Sequence, residues 1–583
     1  MTDPDTGGTQ SSPFSAVIDF LRERLHLMKV LILALLTAGS IGAYFAGSFD
    51  SADKAFWDLC FRQRPPQYTS PKIVIVEINE ETIQSVGRWP WDREWHATLI
   101  QALKEFGARS VALDMLFSET ANPRTDDLLA KVLQKSKITF LPIAFESVNG
   151  RSASGVMRSL PAIAQGAAGE GHTQVTPDRD GILREVNAYL EDRGVRSWHL
   201  GILLALNSWG LSPADVRVSA DRLQIPIPGN PMLQVPLDRR GRIKINWPAR
   251  WSESFRHVSY VDVIHSYSAQ LKGEKPKLNP EIFKDAVCLV GVTAAGLFDI
   301  YATPLEPSYP TVGITASVLN SFLERSLIRP VSRMTHVSIM LLLAIFLLII
   351  MMRAKYLQSL LLIAALGLGH VALVFVLFTR MGVALSVIYP ILLILSGYAA
   401  LAGYHQIMIT VEKNRLLKLA TTDPLTSLFN IGHFKRLLQA ELQSTRLRAK
   451  KDICLVMADG DHFKKVNDTY GHAVGDDVLR GLSDVLRSNC RALDVAARYG
   501  GEEFIVMLPG ATLDAGLKVA EKMRAGVEEK KYSLGPGGSP VHFTASFGVA
   551  YYVPGESMED FLKRADEALY LAKKTGRNCV CTV

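Results

Sequence analysis

Six cysteines in 583 residues supply neither a disulfide framework nor a metal knuckle. Cys60, Cys288, Cys454, Cys490, Cys579 and Cys581 show no C-x-x-C pair, which excludes zinc ribbons and dithiol redox motifs. A pairing of Cys60 with Cys288 stays open. Also missing are a dense Lys/Arg tract and a basic helix interleaved with aromatics. The net charge of +7 and pI of about 8.9 therefore speak for positive loops beside a membrane, and against a nucleic-acid partner. Between residues 48 and 332 no nucleophile–base or metal-ligand spacing occurs, so that region reads as a sensor and not as an enzyme.

What the chain has instead is apolar sequence gathered into long runs. A hydrophobic share of 48% and a mean hydropathy of +0.14 are high for a soluble protein. The length alone suggests about three or four units. Val30–Gly47 follows Arg22, Arg24 and Lys29, and its long lead favours an uncleaved anchor over a signal peptide. Residues 335–352, 357–379 and 383–405 are further candidates, each long enough for a hydrocarbon core of about 30 Å. Arg353 and Lys355 lie between two spans, and Lys413, Arg415 and Lys418 follow the last. With these clusters and residues 1–29 in the cytoplasm, four spans alternate without conflict, placing 48–332 outside and 421–583 inside. The expected location is the inner (cytoplasmic) membrane. Within the spans, His370 reads either as a proton-responsive group or as a neutral histidine bonded to a neighbouring helix. Pro390 and the Gly367/Gly369 pair read as a kink and as close helix contacts.

The outer region carries a globular pattern. Lys72–Ile78, Ser110–Asp114 and Ala286–Gly291 read as strands and Trp95–Phe106 as a helix, implying an α/β core with helices on the sheet. The stretch Gly87-Arg-Trp-Pro-Trp-Asp-Arg93, His96 in the helix, Leu113–Phe117, Gly291–Asp299 and Thr303-Pro-Leu305 together resemble the second class of CHASE-type extracellular sensor domains. Three following membrane helices are that family's usual continuation. One departure concerns Pro310-Thr-Val-Gly-Ile-Thr-Ala316, where the family tends to show Pro-Gly-Val-Glu-Ile-His-Ala. Trp89, Trp91, His96, Asp114 and Asp299 read either as the lining of a ligand pocket or as core tryptophans and strand-end turn formers. The resemblance implies a periplasmic ligand, whose identity the sequence does not reveal.

Residues 406–420 form a helical linker, too short for a heptad assignment, that would carry signals inwards if paired with its twin. Beyond it, Ile453–Met457 is an apolar strand stopping at Asp459-Gly-Asp461, with helical sequence from His462. A strand-end carboxylate beside a helix N-terminus suits phosphate and its cation. Val495–Tyr499 and Phe504–Leu508 read as strands of a hairpin turning tightly at Gly500-Gly501. Glu502 and Glu503 leave that turn on alternate faces, so they do different jobs. Carboxylates at two strand ends suit a divalent cation on a nucleotide's phosphates.

Asp423-Pro-Leu-Thr426, Asp459–Lys464, Asn467-Asp468, Gly475-Asp476, Arg498 with Gly500-Gly-Glu-Glu-Phe504, Ser546-Phe-Gly548, Ala565–Lys573 and Gly576-Arg-Asn578 fall in order. They resemble a GGDEF-type diguanylate cyclase over 421–583, with Glu at the third signature position. The expected architecture is thus multidomain: an α/β extracellular sensor, four transmembrane helices, and a cytoplasmic palm-like α/β cyclase domain. The resemblance implies condensation of two GTP into cyclic di-GMP with loss of two pyrophosphates by a homodimer, using Mg²⁺, with Mn²⁺ as an alternative. It implies metal at Asp459, the Gly460 carbonyl and Glu503, and Glu502 as proton acceptor or metal-positioning group. Asn467 and Asp476 would read guanine, since a carboxylate accepts from its two donors and an amide both donates and accepts. His462, Phe463, Lys464, Lys573 and Arg577 would complete substrate binding. Arg491 and Asp494, with Arg524 as a second contact, would bind cyclic di-GMP as inhibitor. The other reading is a catalytically silent receptor whose domain only binds nucleotide.

Overall fold

A computed structural model describes residues 13–148, 151–192, 194–294, 296, 299–447, 452–531 and 541–583. Ala295, Leu297 and Phe298 of the Gly291–Asp299 stretch, and the first twelve residues, lie outside these. The chain divides into two compact units, Met1–Leu401 and Ala402–Val583.

The first unit is built on a sheet whose strands run Arg256–Ser259, Ile73–Ile78, Val287–Val292, Ser110–Leu113, Thr139–Val148 and Arg151–Met157, with Gly169–His172 also paired to Thr139–Val148. All pairings are parallel except that of Arg151–Met157. Ile73–Ile78 has no polar alternation because both faces are covered. Ile73, Ile75 and Leu289 face a core shared with the helices Leu200–Ser208 and Thr311–Leu323. Val74, Val76 and Val290 face the helices Arg93–Glu105 and Tyr260–Leu271.

The aromatic stretch belongs to that second core. Trp91 is buried and donates from Nε1 to the Gly87 carbonyl at 2.9 Å; its ring lies 5.0 Å from that of Trp89. His96, 1% exposed, meets the Tyr260 hydroxyl through Nδ1 at 3.1 Å. Burial lowers its imidazole to about 3, so it packs as a neutral ring. Trp91 and His96 are core, and Trp89, partly buried, packs against it. Asp114 ends the strand Ser110–Leu113, and burial followed by the charge of Asp299 raises its carboxyl to about 7. At Gly313, where the family pattern has an acid, a Cβ would stand 2.6–2.8 Å from the Tyr309 and Trp251 rings. The glycine lets those rings close over the helix. Cys60 and Cys288 are free and buried, so the open disulfide pairing is not made.

A buried ionic cluster ties the helix Asp50–Gln63 to the loop before the strand Glu185–Asn187. Arg184 makes a fork to Asp58 at 2.9 and 2.6 Å, and also reaches Asp178 at 2.8 Å and Asp180 at 2.7 Å. Lys54 supplies a second cation to Asp178 at 3.0 Å.

Among the described residues, four helices are long and apolar enough to cross a membrane: Leu27–Ala46, Arg333–Arg353, Leu357–Met381 and Ile388–Thr421. The last starts later than the apolar run beginning at Val383. Val383–Ala384 is instead a short strand paired in parallel with Arg329–Pro330, and a continuous apolar run does not tell strand from helix. Pro390 occupies the first turn of this helix, where its missing N–H is one that would go unpaired anyway, so it produces no kink. Gly367 lies 3.6 Å from Ile391 by its would-be Cβ, but Gly369 faces nothing within 4 Å and makes no close contact. The helix start is held by Asp53, whose carboxylate accepts from Ser386 Oγ at 2.5 Å and from the amides of Val387 and Ile388 at 2.8 and 2.9 Å. His370 Nε2 donates to the Ser386 carbonyl at 3.3 Å, in the segment ahead of the helix. His336 Nε2 accepts from Ser386 N at 3.0 Å, so its proton sits on Nδ1 and goes to the Ser332 carbonyl.

The second unit carries a six-stranded sheet in the order Phe429–Asn430, Val495–Arg498, Glu503–Pro509, Ile453–Gly460, Ala545–Tyr551 and Val580–Thr582. Its central strand, Ile453–Gly460, is buried throughout and runs on through Asp459 instead of stopping before it. Cys454, Val456 and Ala458 face one core; Ile453, Leu455 and Met457 face the other. Gly548 has a structural reason: a Cβ there would come within 2.1 Å of Leu569 N, so only glycine lets the helix Met558–Lys574 lie this close to the strand.

Candidate active site

Antiparallel pairing of Ile453–Gly460 with Glu503–Pro509 sets Asp459 directly opposite Glu503. Adjacent strands lie about 4.8 Å apart, so two carboxylates share one end of the sheet. Lys573, projecting from the helix Met558–Lys574, reaches Asp459 Oδ2 at 2.8 Å. Burial raises the Asp459 carboxyl, with Lys573 and Arg577 pulling it back. Burial also raises Glu503, and the charge of Asp459 adds to it. A buried and a partly buried carboxylate with one ammonium thus carry negative charge that the site does not fully offset. Among the described residues no cluster of three or more His, Cys, Asp or Glu side chains is poised for a metal. A pair of carboxylates beside a strand-end carbonyl nevertheless suits Mg²⁺, which takes one or two protein carboxylates and fills its shell with phosphate oxygens and water.

The turn into Glu503 differs from the tight glycine corner expected. Neither Gly500 nor Gly501 has a positive φ. A Cβ on Gly500 would stand 2.8 Å from Glu503 Oε2, whereas one on Gly501 would meet nothing within 4 Å. Gly500 therefore makes room for the Glu503 carboxylate, and Gly501 leaves open space. Arg498 clamps the turn by donating to the Gly501 carbonyl at 2.6 Å and pairing with Asp423 at 3.3 Å. The Asp423–Thr426 motif is thereby explained: Asp423 also accepts from Thr426 N at 2.9 Å and braces the hairpin from below. Glu502 is partly exposed, and its carbonyl takes the Gly460 amide at 3.2 Å.

Gly460 closes the strand, and a Cβ there would lie 2.6 Å from Phe543. His462 adopts φ 54° and starts the helix Phe463–Tyr470; Phe463 is buried, while His462 and Lys464 are exposed. Asn467 on this helix faces Gly475 on the next, and its Oδ1 is buried without a hydrogen-bond partner. A Cβ at Gly475 would fall 1.9 Å from that oxygen. A buried amide oxygen left unpaired costs about 1–3 kcal/mol, so this corner holds a free acceptor. Asp476, partly buried, follows Gly475. Arg577 is exposed at φ 65°, just past the helix that carries Lys573.

Asp461 escaped the sequence-based choice of site residues. Its carboxylate is buried and already filled: Thr544 Oγ1 at 2.9 Å, Ser546 Oγ at 2.7 Å and Asn578 N at 3.0 Å. It is a scaffold group two residues from Asp459, and the Ser546–Gly548 and Gly576–Asn578 motifs were its only signal. Asp566, whose charge acts on Glu503, was missed likewise. Away from the carboxylate pair, Asp494 accepts from the Arg491 amide at 2.6 Å, leaving the Arg491 side chain on the surface. Arg524 is engaged with Glu521, Glu528 and the Asn578 side chain at 2.7–2.9 Å.

Residues 30–352 match the family described as CHASE2 domain, and residues 420–579 match the family described as Diguanylate cyclase, GGDEF domain. Diguanylate cyclase A of Treponema denticola is 41% identical over 190 residues, covering 32% of this chain and 49% of that relative. Response regulator PleD of Caulobacter vibrioides is 42% identical over 168 residues, covering 28% of this chain and 36% of that protein. The chain thus spans about half or less of the curated relatives it matches. The crystal structure of the coiled coil and GGDEF domain of DgcB from Caulobacter crescentus in complex with c-di-GMP is 32% identical, with a TM-score of 0.31, over 32% of this chain and 99% of that one.

Proposed function

We propose that this chain, which belongs to the CHASE2 domain family and carries a GGDEF domain, is a membrane-bound diguanylate cyclase governed by its sensor unit. The observation that carries the reading is the register pair Asp459–Glu503 with Lys573 between strand and helix. Asp459, Glu503 and the Gly460 carbonyl would hold the divalent cation, Mg²⁺ or Mn²⁺. When bound, that cation neutralises phosphate charge and acidifies the attacking hydroxyl. Lys464, Lys573 and Arg577, with the free amides at residues 462–464, hold phosphate oxygens. Asn467 and Asp476 take the guanine edge, and the orphaned Asn467 Oδ1 supports that role. Adenine would leave the Asp476 carboxylate poorly paired, so GTP is preferred over ATP.

Each 3′-oxygen attacks the α-phosphorus held by the partner domain and the bond to pyrophosphate breaks; the hydroxyl proton goes to Glu502, or to solvent water if Glu502 would instead position the metal. Two such steps release two pyrophosphates and close the ring. One site holds half of the reactants, so catalysis depends on two domains meeting face to face. The helix Ile388–Thr421 supports a parallel pairing of two chains: Ile407, Ile409, Leu416 and Leu419 are exposed on it, and Ile409, Leu416 and Ala420 line an open groove. Arg491, Asp494 and Arg524 bind cyclic di-GMP as inhibitor, Arg524 only after releasing its acidic partners. The basic clusters at 353–355 and 413–418 support a cytoplasmic cyclase domain and a sensor outside.

The test is the full chain in nanodiscs with labelled GTP and Mg²⁺. Cyclic di-GMP with two pyrophosphates per product is expected, and its loss in Glu502→Ala. No cyclic dinucleotide from dimeric protein, or undiminished product from that variant, overturns the reading. A second expectation concerns the base pocket. Gly475→Ala cannot coexist with the Asn467 side chain where it stands, so KM for GTP rises about ten-fold, or ~1.4 kcal/mol, with kcat little changed. Steady-state kinetics on folded variant protein measure this.

A further inference from the structure

We propose that a cleft on the first unit, between the strands Arg222–Ile225 and Leu233–Pro236 and the segment 325–333, is a binding site for a phosphate-bearing anion. The cleft encloses about 860 Å³. Its three carboxylates are committed: Asp221 to Arg222 at 2.6 Å, Asp238 to Arg242 at 2.8 Å, and Glu185 to Arg242 at 2.9 Å and Lys244 at 2.5 Å. Four more guanidinium groups line the same space, those of Arg239, Arg325, Arg329 and Arg333. All four residues are exposed, and among the described residues none has a carboxylate partner. Seven cations against three carboxylates repel one another unless an anion joins them.

The arrangement is held in place by the backbone. Arg329 N donates to the Gly382 carbonyl at 2.7 Å and Val331 N to that of Ala384 at 3.2 Å, so this wall is strand and not loose loop. Arg333 opens the helix Arg333–Arg353, whose first turn contains no acidic residue. A cation at a helix N-terminus opposes the dipole, and an anion there offsets both charges. Planar guanidinium forks suit the oxygens of phosphate, and four surplus positive charges suit a phosphate better than a single carboxylate. Met232, 42% exposed, and Pro330 and Val331 add apolar surface beside the charges. Arg333 also lies over the Phe45 ring at 5.8 Å, at the end of the first apolar helix. The anion has two sources, a phospholipid headgroup at the membrane surface or a soluble phosphate monoester; the lipid source rests on the membrane reading above. Because Arg329–Pro330 pairs with Val383–Ala384, the occupied cleft bears on the segment from which the last apolar helix begins.

The experiment uses the full chain in phosphatidylcholine nanodiscs. One arm adds phosphatidylglycerol to the bilayer; the other adds glycerol 3-phosphate to the solution. Native mass spectrometry counts retained lipid, and hydrogen exchange follows the amides of residues 325–333. Protection by phosphatidylglycerol assigns the headgroup, and protection by glycerol 3-phosphate alone assigns the soluble ester. In either case the double substitution Arg239→Gln/Arg329→Gln weakens binding about ten-fold or more. Arg196→Gln, which removes a surface pair with Glu191 on another hairpin, leaves binding unchanged. If neither probe protects the segment, or the double variant binds as the parent does, the site does not exist. The readout is local binding, so it stands or falls separately from cyclase activity.

Discussion

Asp459→Asn lowers cyclic di-GMP formation by at least about 10³-fold, roughly 4 kcal/mol of transition-state stabilisation, while the domain stays folded. The substitution is nearly isosteric within a strand buried along its whole length, so packing survives. What disappears is one of two carboxylates facing each other across the register, and the partner of the Lys573 ammonium at 2.8 Å. An amide is a poor ligand for a hard cation next to a carboxylate. The half-saturating Mg²⁺ concentration rises together with the loss of rate. Asp461→Asn gives the opposite signature. That carboxylate accepts three hydrogen bonds, from Thr544, Ser546 and the Asn578 amide, so an amide leaves at least one donor unanswered at about 1–3 kcal/mol. It lowers Tm without raising the metal requirement. Labelled-GTP assays across a Mg²⁺ titration, beside melting curves, separate the two. Residual activity above a tenth in Asp459→Asn would remove this carboxylate from the metal's shell.

The contrast between these two aspartates shows how far the sequence could be read. Asp459 and Glu503 were legible because strand alternation and the hairpin fix their faces locally, and the motif order named the rest. Asp461 was not, because its three donors come from residues 544–578, and nothing local reports their convergence. The same limit applies to Gly500. Its glycine looked like a turn requirement, yet its φ is ordinary and its reason is the Glu503 carboxylate folding back over it. In the first unit, the core strand Ile73–Ile78 and the helix starting at Arg93 follow from their apolar patterns. The Trp91–His96 group stayed ambiguous, since a buried polar ring and a pocket wall share one composition until the packing partner, here Tyr260, is known. Val383–Ala384 was hidden inside an apolar run for the same reason: only its pairing with Arg329–Pro330 makes it a strand.

Arg184→Met destabilises the first unit by about 3–5 kcal/mol, because it removes one partner of a buried ionic cluster and leaves carboxylates without their cation. Asp58 and Arg184 are both under 10% exposed, and their fork at 2.9 and 2.6 Å has no substitute nearby. Asp178 keeps Lys54, but Asp58 keeps nothing of comparable geometry. Methionine fills the volume, so the loss is electrostatic and not a cavity. The pH dependence distinguishes this account. Burial would raise the Asp178 carboxyl, yet hydrogen bonds from Arg184 and Lys54 outweigh it and hold the group below its ordinary 3.8. A depressed carboxyl contributes stability that is present above the unfolded value and lost as pH falls through the folded one. The parent protein therefore loses stability in acid, below about pH 4. The variant has less of this contribution to lose, and protonation relieves its uncompensated carboxylates. The gap between the two melting curves is widest near neutrality and narrows in acid. Thermal denaturation in one detergent between neutral pH and about pH 2 measures it. A gap under about 1 kcal/mol, or one that does not narrow, would show that the helix Asp50–Gln63 is not held by this cluster.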